Sequence, residues 1–145
     1  MNSGKILIFR ASLPLIRRQW IQLLADEPPL SPLGRTETVG YLMDVTFIQM
    51  IRGLEAAPTA NWRMRLAPVV SPIHLYLACG MTPLKKYFST GEQAVRACTA
   101  SSLGANVDEV IAVFKEIAAY EIDSLCAACI HPDSANCEKS RNGSL

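Results

Sequence analysis

The sequence predicts an all-α fold in one domain, either a five-helix bundle or a globin-like helical packing. Two observations carry this. Apolar residues recur at i, i+3, i+4 and i+7 through most of the chain, and no strand-like alternation follows residue 10. Capping and breaking residues also punctuate the chain every twenty or so positions, with connections of a few residues that favour antiparallel neighbours. The domain is expected over residues 1–132, followed by a polar flexible tail over 133–145.

Each helix has its own signal. The first is predicted to start at Ser12-Leu13-Pro14, with Ser12 as N-cap and proline in the first turn. Leu13, Ile16, Trp20, Leu23 and Leu24 form its apolar stripe, and Asp26-Glu27-Pro28-Pro29 stops it. A second helix follows from about Arg35 to Glu55. Val39, Leu42, Met43, Phe47, Ile48, Met50, Ile51 and Leu54 make it apolar nearly all round, which suits the middle of a bundle or a partner's cover. A third runs from about Ala60 to Cys79 and is kinked or broken by Pro68 and Pro72. Thr82-Pro83 starts a fourth, with Leu84, Tyr87, Phe88, Gly91, Ala94, Val95 and Cys98 on its apolar face. Its small residues Gly91, Ala94, Ala97 and Cys98 would let a neighbouring helix come close. Ser101 to Gly104 closes it. Asn106 with Glu109 resembles a capping box for the fifth helix, whose stripe is Val107, Ile111, Phe114, Ala118, Ile122, Leu125 and Cys129, ending at Pro132.

Composition bounds the function. The chain has 145 residues, 50% hydrophobic and 19% charged, against roughly 25% charged in an average domain, so disorder is excluded for most of it. A formal net charge of +1 gives no electrostatic footprint for nucleic acid or an anionic membrane. The uncharged stretch Ala67 to Leu84 carries too many helix breakers for a membrane span. The apolar run Ile6 to Phe9 is too short for a signal-peptide core, so a cytoplasmic, reducing location is expected.

The sharpest local constellation is Cys126-Ala127-Ala128-Cys129-Ile130-His131, followed by Cys137. Cys126 and Cys129 share a helix face, and with His131 and Cys137 they supply the four thiolate and imidazole ligands of a structural zinc site. An iron–sulfur cluster or a reversible thiol switch are the other chemistries open to them. The spacing matches no standard zinc motif, and the alternative is one small core thiol with surface neighbours. Cys79 and Cys98 read as core residues. Asp44 and His74 are candidates for a ligand pocket. Asp44 sits among apolar residues, and a buried carboxylate there would need a partner such as Arg17, Arg18, Arg63, Arg65 or His74. The alternative is a structural ion pair. His74 in a globin-like fold could ligate haem iron, or be a core histidine hydrogen-bonded to a carbonyl. No phosphate loop, nucleophile elbow or zinc-protease motif occurs, so a non-enzymatic role is expected.

The runs Ser31–Thr46 and Cys79–Ala94 resemble an uncharacterised group of small bacterial helical proteins, and Trp20 with Gly80-Met81-Thr82-Pro83-Leu84 matches the pattern of a second group. This second, more distant resemblance is to the helical N-terminal sensor domains of RsbR-type stressosome proteins. The likeness spans residues 12 to 130, contains no catalytic motif, and departs at the cysteine-rich end. It implies a sensing or interaction role. The leading expectation is therefore a regulatory helical domain acting through a protein partner, as a homodimer, with metal or thiol-redox sensing and a small-ligand pocket or pocket enzyme as alternatives. The excess of apolar residues over what one small core hides motivates the dimer.

Overall fold

The computed structural model describes residues 1–56 and 81–128. It is all-helical, with no strand among the described residues. Four α-helices are described: α1 (Ser3–Leu23), α2 (Thr36–Ala56), α3 (Met81–Leu103) and α4 (Val107–Ala128). The helix expected from about Ala60 to Cys79 lies outside the described residues, as does the tail.

The start of α1 corrects the sequence reading. The helix begins nine residues before Ser12, capped by Asn2, whose side-chain Oδ1 accepts from the Lys5 amide at 2.9 Å. Ser12 is no cap: its hydroxyl donates to the Ile8 carbonyl at 3.1 Å, one turn back within the helix. Pro14 lies inside the helix. The reason is the burial pattern. Ile6, Phe9, Ile16 and Trp20 fall on one face, and all four are buried. A proline in a helix interior costs about 3 kcal/mol, and this one sits on the exposed face, while the opposite face keeps its packing.

The chain then stops as Asp26 to Pro29 predict. Ser31 caps a single 3-10 turn, Pro32–Gly34, its hydroxyl accepting from the Leu33 amide at 3.2 Å. Gly34 is required there. A Cβ on it would overlap the Pro28 carbonyl oxygen and stand 2.9 Å from the Pro28 carbonyl carbon, and both are backbone atoms.

α2 packs against α1 and α4, and like each of the other described helices it has two helical neighbours; its exposed flank, Tyr41, Asp44, Ile48, Arg52 and Glu55, corrects the expectation of a helix in the middle of the bundle. α3 is described from Met81, where the described residues resume, and Thr82 and Pro83 lie within it. Its predicted face is buried from Leu84 through Val95, Cys98 is half-buried, and Ala97 is exposed, so Ala97 plays no part in close packing. Gly104 closes α3 with φ +54, the left-handed conformation that glycine enters without a Cβ penalty. A 3-10 turn, Gly104–Asn106, leads into α4. Glu109, expected to fold back on Asn106, reaches the Met1 ammonium at 3.0 Å.

The four helices converge on Trp20, which is fully buried. Its ring meets Phe47 of α2 at 6.0 Å between centroids, Tyr87 of α3 at 4.5 Å and Phe114 of α4 at 5.8 Å. Two of these contacts are edge-on, an arrangement favoured by the ring quadrupoles. The indole N–H donates to the Tyr87 carbonyl oxygen at 2.9 Å, so its one polar atom is satisfied. Gly91 opens the space for this ring.

Candidate functional site

The residues singled out in the sequence divide between described and undescribed regions. Cys126 lies in the last turn of α4, while Cys129, His131 and Cys137 lie outside the described residues. Among the described residues no group of three or more potential metal ligands comes together. His74 and Cys79 also lie outside them. The burial expected at Asp44 is corrected. α2 turns this side chain outward, 64% exposed, and its carboxylate pairs with the Arg17 guanidinium of α1. Arg17 in turn lies over the Phe47 ring at 5.4 Å. This is the ion-pair alternative for Asp44, and at such exposure it contributes little to stability.

A buried polar cluster went unrecognised in the sequence. Thr46 of α2, Tyr87 of α3 and Glu121 of α4 are all buried, Glu121 to 1% exposure. Proton bookkeeping fixes the direction of one bond. The Thr46 hydroxyl donates to the Leu42 carbonyl at 2.7 Å, so the Tyr87 hydroxyl donates to Thr46 Oγ1 at 2.9 Å. Burial, reinforced by the nearby Glu121 charge, pushes the Tyr87 phenol far above the ordinary tyrosine range. One signal for Glu121 was available: it stands four residues after Ile117 and seven after Phe114, on the buried stripe of α4.

A pH dependence follows. Tyr87 keeps its proton as long as the fold persists, whereas the unfolded chain loses it above about pH 10. Above that pH the unfolded state binds fewer protons than the native state, so stability falls as pH rises. Urea unfolding between pH 8 and 11 should show this fall. Tyr87→Phe should flatten it, at a cost near neutral pH of about 1 kcal/mol for the lost hydrogen bond.

The outer surface of the first two helices is the third feature. Among the described residues every exposed large hydrophobic lies in α1, α2 or their connection: Leu7, Ile8, Leu15, Ile21, Leu30, Tyr41 and Ile48. On α1 these residues, with exposed Ala11 and Pro14, occupy one continuous outward arc. Tyr41 and Ile48 are two turns apart on α2, on the line that also carries Asp44, Arg52 and Glu55. A groove of about 320 Å³ runs between the helices, with Leu13, Phe47 and Ile51 at its base. Arg10 and Glu55 bridge it at 3.5 Å. The exposed apolar side chains of the two helices flank a row of charges of both signs, the Arg10–Glu55 and Arg17–Asp44 pairs, with exposed Arg18 within the arc of α1. Among the described residues no helix is long and apolar enough to cross a membrane. No known family model matches this chain, and neither a curated protein nor a solved structure is significantly similar to it.

Proposed function

We propose that the chain is a non-enzymatic helical interaction domain, regulatory or sensory in kind, that works as a homodimer through the outer face of α1 and α2. The observation that carries this is the one-sided placement of the exposed apolar side chains on those two helices. Contiguous exposed apolar surface of more than a few hundred Å² marks interaction sites. A second copy is the partner best supported, because the face is self-complementary in charge. The Arg10–Glu55 and Arg17–Asp44 pairs each place a cation on α1 and a carboxylate on α2. A two-fold axis brings the same patch of both copies together, so that cations of one can face carboxylates of the other. The likeness of Trp20 and the Gly80–Leu84 segment to bacterial sensor domains points the same way.

Light scattering at high micromolar concentration tests this. The wild type should run as a dimer. The double variant Leu7→Glu, Leu15→Glu should run as a folded monomer, because both residues are exposed and their loss leaves the core intact. A wild-type chain that stays monomeric at that concentration overturns the reading. Zinc or iron bound through Cys126, Cys129, His131 and Cys137 is a separate expectation, and elemental analysis of protein purified without chelator decides it.

A further inference from the structure

We propose that the two-fold axis of the homodimer runs along the groove between α1 and α2, so that α1 of each copy lies on α2 of the other. This rests on the dimeric reading above and adds to it the arrangement of the two chains. Two ion pairs span the groove, Arg10–Glu55 and Arg17–Asp44, and in both the cation is on α1 and the carboxylate on α2. From the first pair to the second the residue numbers rise along α1 and fall along α2, so the two helices are antiparallel. The pairs are thus rungs of a ladder with a fixed polarity, guanidinium groups on one rail and carboxylates on the other.

A ladder of fixed polarity restricts how two copies can meet. Two identical faces laid together are related by an axis in the plane between them. An axis across the helices sets α1 on α1 and α2 on α2. Guanidinium then faces guanidinium and carboxylate faces carboxylate, and like charges opposed across an interface act against that pairing. An axis lying over either helix opposes that helix to its own copy, with the same result. An axis along the groove exchanges the rails and keeps every residue at its level. Arg10 then faces Glu55 of the second copy, and Arg17 faces its Asp44. Each rung becomes half of a ring of four charges with alternating signs. Arg18, beside Arg17, comes toward the same Asp44, and Arg52 stays beside the short side chain of Ala11.

The apolar groups fit the same axis. Between the rungs lie Leu15 of α1 and Ile48 of α2, each 50% exposed. One turn beyond the second rung lie Ile21 and Tyr41, also exposed. The groove axis lays Leu15 on Ile48 and Ile21 on Tyr41, twice each, so both helices lose their exposed apolar surface together. Each of the four helices at the interface gains antiparallel neighbours, as in an up-and-down bundle.

The full-length double variant Arg10→Glu, Glu55→Arg tests the axis. It keeps the net charge and the pair within the chain, and reverses the polarity of one rung at two side chains that are each 54% exposed. With the axis along the groove the swapped chain dimerises as tightly as the wild type, within about twofold, because its ring still alternates. A mixed dimer of swapped and wild-type chains opposes like charges at that rung. Native mass spectrometry of an equilibrated equimolar mixture, with one chain isotope-labelled and at low ionic strength, should find mixed species at less than about a tenth of the dimers, against the half that random pairing gives. The second swap, Arg17→Asp with Asp44→Arg, should sort in the same way. An axis across the helices gives the opposite result, since the swap then sets opposite charges together and the swapped chain dimerises more tightly than the wild type. Tighter swapped dimers, or mixed dimers near half of the total, overturn the proposed axis and leave the dimer standing. A wild-type chain that stays monomeric overturns both.

Discussion

Gly91→Ala is expected to lose about 3 kcal/mol of stability, although alanine is the better helix former by about 1 kcal/mol. The added Cβ would overlap Trp20 Cζ2, and it would stand 2.7 Å from both Trp20 Cε2 and Phe114 Cζ. Neither ring can give way, since Trp20 is fully buried and Phe114 is 1% exposed. Interiors packed this closely transmit the strain to every neighbour. Urea unfolding measures the loss. Its cause can be checked by pairing it with Trp20→Phe, whose smaller ring leaves room for the methyl group. The double variant should be more stable than the sum of the two single effects predicts, by about 1 kcal/mol. Additive effects would show that the glycine serves some purpose other than admitting the indole.

Trp20→Ala is expected to lose still more, about 4 kcal/mol. The indole is shared by all four described helices, so its removal leaves a void that no single helix can close by moving. It also withdraws the N–H that reaches the Tyr87 carbonyl. That carbonyl lies inside α3, where the helical ladder supplies it an amide donor, so the void, rather than the lost hydrogen bond, sets the size of the effect. Domains are stable by only about 5–15 kcal/mol. The variant should therefore unfold at markedly lower urea concentration, and a loss under about 2 kcal/mol would contradict the central placement of Trp20.

The fold class was legible because helical periodicity is a repeated signal. α2 and α3 declare themselves through many apolar positions, and the end of α3 through Gly104. The start of α1 was not legible. Ser12-Leu13-Pro14 has the chemistry of a helix start, and local chemistry does not reveal that Ile6 and Phe9 bury on the same face as Ile16 and Trp20. Tertiary packing overrode the local signal. Asp44 was misplaced for a related reason. On a helix apolar nearly all round, the sequence does not say which flank meets the neighbours, and here Tyr41, Asp44 and Ile48 face outward. Glu121 was missed because a charged residue on an apolar stripe is easily read as an interruption. The α1–α2 face was anticipated only as an excess of apolar residues. Its position depends on which sides of the two helices the core consumes.

Pro14 gives α1 a built-in discontinuity. The ring has no amide hydrogen, so the Arg10 carbonyl lacks its helical donor, and the ladder of α1 is interrupted between Arg10 and Pro14. The segments on either side are held in line by their separate anchorages, Ile6 and Phe9 on one side and Ile16 and Trp20 on the other. Hydrogen exchange should therefore resolve α1 into two cooperative units rather than one. The N-terminal unit should open without disturbing Trp20. Its amides should exchange at a rate set by local opening, while those beyond the proline should wait for global unfolding. Leu7 and Leu15 lie on opposite sides of this break, so the outward face of α1 can adjust its curvature to a surface laid against it.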